Sequence, residues 1–240
     1  MFKVAILGAV GLVVAGCGTA GRDQVAESRQ AESTCLGVVI HNTSDAESVR
    51  GCRRFRGDVT IEGTSLKDMS ALQNVEQISG TLLIVDNSAL LSLDGLASLS
   101  QVENLVVTGN VALSSLRGLS HLVKAKGITI AASPSLKTLA GLESLSELDG
   151  LVVSNTGVTS LDAMARLTHV NDLVLTDNAN LQNLSGLREL QRADNIDIER
   201  NPALNQMGPF TGLKSPCADG IVTSHWQPAR AANAVLWNQV

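Results

Sequence analysis

The chain has 240 residues, of which 44% are hydrophobic and 17% charged, enough apolar material for one large domain or two small ones and too much for wholesale disorder. Its 18 basic and 23 acidic residues leave a net charge of −5, which argues against a polyanion-binding surface, because nucleic-acid affinity is built mainly from basic clusters. Aromatic residues make up only 2%, with no tyrosine, so base-stacking platforms and aromatic-lined pockets are poor expectations too.

Residues 1–16 read as an address. Lys3 gives a short basic start, residues 4–15 form an apolar run too short to span a bilayer, and small residues close it. An ordinary signal peptide and a buried strand are the plain readings of such a run. Its ending, Val14-Ala15-Gly16-Cys17, resembles the lipobox of bacterial lipoproteins. The resemblance implies cleavage before Cys17 and acyl chains on that residue. Each buried methylene contributes roughly 0.8 kcal/mol, so several chains together anchor firmly. The residue after the cysteine is Gly18, not Asp, which by the sorting rule of enteric lipoproteins points to the outer membrane. The expected setting is therefore the bacterial cell envelope, with the membrane as first partner. Residues 16–21 also spell G-x-G-x-x-G, but the polar, Ala/Ser/Glu/Gln-rich stretch that follows is no nucleotide-binding helix. Residues 17–34 read instead as a tether.

From Val59 the chain repeats itself. Pairs of apolar residues two apart recur as Val59/Ile61, Leu82/Ile84, Leu105/Val107, Ile128/Ile130, Leu151/Val153, Leu173/Leu175 and Ile196/Ile198. The step is 23 residues, shortened to 22 between Leu151 and Leu173. Four further columns follow at intervals of three, beginning at Leu66, Met69, Leu72 and Val75, and all 42 positions of the six columns are apolar, which chance does not explain. An i, i+2 pair is one face of a short strand, and the steps of three suit a tight helical or 3₁₀ return leg. No such turn can bury its own apolar side, so neighbours must stack. The expected fold is an α/β repeat solenoid: a right-handed parallel β-sheet of about seven leucine-rich turns, residues 57–214, with a cap at each end. After the strands, Asn87, Asn110, Asn178 and Asn201 stand in register with Ser133, and Asn155 lies one residue early. A stacked Asn ladder serving the backbone at each bend is the expectation. Gly95-Leu96, Gly118-Leu119, Gly141-Leu142 and Gly186-Leu187 mark close backbone approach.

These columns resemble leucine-rich repeats, and residues 80–90 and their relatives more closely resemble the receptor L domain, the family of ligand-binding lobes in insulin- and EGF-type receptors that also occurs in bacterial surface proteins. The resemblance spans roughly residues 35–215. It implies a disulfide-capped first turn, with Cys35 paired to Cys52 in an N-terminal cap over residues 35–56. The 23-residue step and the Asn ladder are more regular than in receptor L domains, which leaves a plain leucine-rich solenoid open. Ligand identity does not carry over, since L domains bind unrelated partners.

Residues 215–240 depart from the repeat and read as a C-terminal cap. Ile221-Val222 could add a strand, and Pro228 starts a short helix with Val235, Leu236 and Trp237 as its apolar side. Cys217 reads either as a buried thiol there or as a partner in an intermolecular or unforeseen internal bridge. Phe55, Phe210, Trp226 and Trp237 fall near the solenoid ends and read as cap-core residues.

The search for chemistry gives no catalytic residue, no metal site and no cofactor. His41, His121, His169 and His225 are isolated, no H-E-x-x-H, G-x-S-x-G or P-loop exists, and the Ser-Leu-Lys triplets at 65–67 and 135–137 lack S-x-x-K spacing. What remains is a surface. The strand positions between the paired core residues are Thr60, Leu83, Val106, Thr129, Val152, Val174 and Asp197, with Val85, Thr108, Ala131, Ser154 and Thr176 beside them and Glu62 and Glu199 at the ends. The candidate binding face is Leu83, Val85, Val106, Thr108, Thr129, Val152 and Val174. An aliphatic stripe of this length suggests a contact site, although β-branched residues also simply suit an open sheet. The expected function is a non-enzymatic, lipid-anchored binding or scaffolding protein, with an unknown protein or envelope partner or a second copy of itself. The alternatives are a purely structural envelope lipoprotein and, less favoured, an enzyme inhibitor.

Overall fold

A computed structural model describes residues 34–205. Residues 1–33, where the signal segment, Cys17 and the tether are expected, and residues 206–240, which include Met207, Phe210, Leu213, Cys217, His225, Trp226 and Trp237 and the expected C-terminal cap, lie outside the described residues.

The alternating apolar pairs form strands because one face of each is buried and the other is not. They are β1 (Thr34–Ile40), β2 (Arg54–Glu62), β3 (Gln77–Val85), β4 (Gln101–Thr108), β5 (Gly127–Ser133), β6 (Glu147–Thr156), β7 (His169–Thr176) and β8 (Arg192–Glu199). All eight lie in one sheet in chain order, every neighbouring pair parallel. One inward row runs in register from Ile40 through Ile61, Ile84, Val107, Ile130, Val153 and Leu175 to Ile198.

The chain returns through single 3₁₀ turns at Ser70–Leu72, Asp94–Leu96, Arg117–Leu119, Asp162–Met164 and Ser185–Leu187. Within the described residues every position of the six sequence columns is buried except Leu66, Ile196 and Ile198, which are half-buried. A seventh column joins them: Phe55, Ile78, Val102, Ala125, Leu148 and Val170, all buried, with Ala193 half-buried. The glycines of the return legs are required by close approach. A Cβ on Gly95, Gly118 or Gly186 would run into the carbonyl oxygen of Met69, Leu93 or Leu161 in the preceding turn.

The Asn ladder exists, in two runs. Asn87 Oδ1 accepts from the Thr64 N–H at 2.9 Å and its hydroxyl at 2.8 Å, while Asn87 Nδ2 donates to the Ile61 carbonyl at 2.9 Å and to Asn110 Oδ1 at 3.1 Å. In the second run Asn178 Oδ1 accepts from the Thr156 N–H and hydroxyl, and Asn201 Oδ1 accepts from the Asn178 N–H. Asn155 is not a ladder residue. It is exposed, with φ of 51°, and Thr156 holds the ladder position. The same left-handed position is held in other turns by Gly63, Asp86, Gly109, Ala132, Asp177 and Arg200. Asn is among the few side chains that tolerate this conformation, so Asn155 serves the bend itself. The missing residue of this turn falls after it, between Thr156 and Val158.

The stretch between the first two strands carries a short helix, α1 (Thr43–Ser48), whose first turn is capped by the Asn42 side chain accepting from the Asp45 N–H at 3.1 Å. Cys35 and Cys52 are bonded, with Cα atoms 5.8 Å apart and a separation of 17 positions in sequence. The bond ties β1 to the end of the α1 loop. Closing a loop of this size contributes about 3 kcal/mol in the chain-entropy model. Reduction should therefore lower the denaturation midpoint by a corresponding amount, and thiol labelling of the unfolded, unreduced protein should leave Cys35 and Cys52 unmodified. Labelling of either residue would contradict the pairing.

Candidate contact face

The outward side of each strand is fixed by the inward one, since successive side chains alternate. Between the two core rows lies a row in strict register: Val39, Thr60, Leu83, Val106, Thr129, Val152, Val174 and Asp197. Beside it runs a second: Glu62, Val85, Thr108, Ala131, Ser154, Thr176 and Glu199. All seven sequence-predicted face residues, Leu83, Val85, Val106, Thr108, Thr129, Val152 and Val174, fall in these two rows and are half-buried. They are shaded by neighbours about 4.8 Å away on the adjacent strands. From β3 to β7 neither row carries a charge. Hydroxyls are the polar component, and one pair is bonded across strands, Thr176 Oγ1 donating to Ser154 Oγ at 2.9 Å.

Two parts of the face escaped the sequence reading. Val39, 50% exposed, extends the first row onto β1. A third row, Thr81, Asn104, Gly127, Gly150, Asp172 and Asn195, lies toward the strand starts. Its two adjacent glycines leave the centre of the sheet without side-chain bulk, and Asn195 Nδ2 bonds Asp172 Oδ1 at 2.6 Å.

In the first two rows charge is confined to the ends. Glu62 is exposed at one end. At the other, Asp197 Oδ1 is buried with no hydrogen-bond partner among the described residues. Burial and then repulsion from Glu199 push the Asp197 carboxyl above its ordinary pKa, against a smaller pull from Arg200. A carboxyl raised in the folded state contributes stability that is present below the ordinary carboxylate range and is lost as pH rises through the folded value. Asp197→Asn should therefore raise Tm at pH 7 and give no such gain at pH 3. An equal or lower Tm at pH 7 would contradict the assignment. Ion pairs between neighbouring turns flank the face: Arg53 with Glu76, Lys126 with Glu103 at 2.6 Å, and Arg200 with Asp177 at 2.6 Å, the last holding Asp177 below its usual range through its hydrogen bond. Such exposed pairs contribute little to stability.

Elsewhere, a cleft of about 280 Å³ opens where α1 meets the first return leg. Ile40, Ala46, Ile61, Leu66 and Met69 line it, together with Lys67. His41 and His121 are exposed, and His169 is half-buried beside the Thr168 hydroxyl. Among the described residues no three His, Cys, Asp or Glu side chains are grouped to hold a metal, and no helix is long and apolar enough to cross a membrane.

A search of curated proteins gives no match to the chain. Residues 51–126, from just before Cys52 to the residue before β5, match the family model of the receptor L domain.

Proposed function

We propose that this chain is a non-catalytic, lipid-anchored protein of the bacterial envelope whose solenoid binds or scaffolds another protein through the β3–β7 face. The carrying observation is the pair of uncharged outward rows in unbroken register. The receptor L-domain match over residues 51–126 supports a protein-binding module. In this reading the turns form a right-handed solenoid of about seven repeats, the sense that parallel crossovers almost always take, with the disulfide unit over its first turn. Between Glu62 and Glu199 lie six strand spacings, about 29 Å, so the partner presents a flat or extended surface, or is a second copy of the chain. The face lacks Tyr, Trp and Arg, so affinity comes from area rather than from a few anchoring side chains.

The anchor and the face are tested separately. Cys17→Ser should leave an unlipidated protein that no longer enters the detergent phase; unchanged partitioning would refute the anchor. The soluble protein that results should capture its partner from envelope extract, or self-associate. Val106→Glu with Val152→Glu should abolish that, because two carboxylates would be buried against an apolar contact. Undiminished capture by the folded double variant would refute the face.

A further inference from the structure

The break in the Asn ladder falls at one strand, and other weaknesses gather there. In the first run Thr64, Asn87 and Asn110 are bonded turn to turn through their side chains; in the second, the Thr156 hydroxyl bonds the Asn178 side chain and the Asn201 side chain accepts from the Asn178 N–H. Between them stands Ser133, whose hydroxyl donates to Ala131 O of its own strand at 3.0 Å. Among the described residues no side chain carries the ladder from Asn110 to Ser133 or from Ser133 to Thr156. The return leg that follows, residues 139–145, has no 3₁₀ turn. Its Leu142 N–H to Leu139 O and Leu145 N–H to Leu142 O bonds are 3.2 and 3.3 Å, against 2.8 Å for both equivalents at Leu116, Leu119 and Leu122. The bend residue is Ala132 at φ 46°, an alanine where the adjoining turns hold Gly109 and Asn155. The β4–β5 pairing is also the shortest in the sheet, five residue pairs.

We infer that β5 is a seam: the solenoid consists of two cooperative blocks, β1–β4 and β6–β8, and the seam opens before either block unfolds. In a stacked-repeat protein each turn is held by its own stability and by its two interfaces, so opening starts at the weakest interface. At rest the seam is closed. Leu136, Leu139, Leu142 and Leu145 are buried beneath it, and Lys126 pairs with Glu103 across it. The seam lies under the middle of the outward rows, so its opening lets the two halves of the sheet face shift while each stays intact. The inference stands independently of the binding role proposed above.

Hydrogen exchange followed by mass spectrometry on the intact protein tests it. Peptides from residues 127–145 should exchange about tenfold or more faster than those covering β4 or β6. Ser133→Asn would bring Oδ1 opposite the Asn110 N–H and Nδ2 opposite the Val107 carbonyl, extending the first run onto β5. It should slow exchange in β5 about 5–30-fold and raise Tm by roughly 2–4 °C. Ala132→Gly, which adds no bulk, should slow the same peptides in the same direction. Wild-type β5 peptides as protected as those of β4 and β6 would overturn the seam, as would a folded Ser133→Asn or Ala132→Gly variant whose β5 exchange is unchanged.

Discussion

Leu116→Ala should destabilise the protein by about 2–5 kcal/mol. Leu116 is fully buried in a central turn, in the same column as Leu93 and Leu139, also fully buried. Its removal loses transfer energy and leaves a cavity that the stacked turns on both sides hold open, because each is fixed by its own sheet register. The outward pair Val106→Glu and Val152→Glu should cost only about 1 kcal/mol, through lost β-propensity and added like charge. Denaturant unfolding of the two variants distinguishes these magnitudes directly. Global unfolding of the outward pair with a mild effect of Leu116→Ala would mean that the faces of the sheet are reversed.

Asn87→Ala should cost about 2–4 kcal/mol, although it removes little apolar surface. The side chain satisfies the Thr64 N–H and hydroxyl, the Ile61 carbonyl and Asn110 Oδ1, all at a buried bend. Truncation leaves several of these groups without water or partner, which is costlier than the net gain from any one bond. Asn155→Gly should be close to neutral or mildly stabilising, because that residue is exposed and its φ is positive. Equal losses at the two positions would contradict the division between ladder and bend.

The sequence made the strand columns and return-leg leucines legible because one burial pattern recurs at fixed spacing, and repetition separates it from local propensity. The seventh column was not legible for a physical reason. Its residues precede the first strand residue by four positions in β2 and β3 but by three from β4 onward, and a register shift between Ile78 and Thr81 absorbs the difference. Alanines at 125 and 193 weaken it further. β1 was missed as a strand because Leu36 and Val39 are exposed at the sheet margin and no ladder residue follows Ile40. Asn155 misled because residue type alone does not separate an amide that bonds the next turn from one that tolerates a left-handed backbone. The outward rows followed from the inward ones by alternation. What they contact did not, because aliphatic and hydroxyl side chains without aromatic or charged anchors carry little chemical identity.

The proposed binding role sets the outward side of β3–β7 against another protein. The most direct measurement places a photocrosslinking side chain at position 152, in the middle of the face, and in a second variant at exposed Ser120 on a return leg, with irradiation of both in the cell envelope. A discrete protein adduct, to a partner or to a second copy, is expected from position 152 and none from position 120. Adducts from position 120 alone, or none from position 152 in protein shown to be folded, would contradict that role.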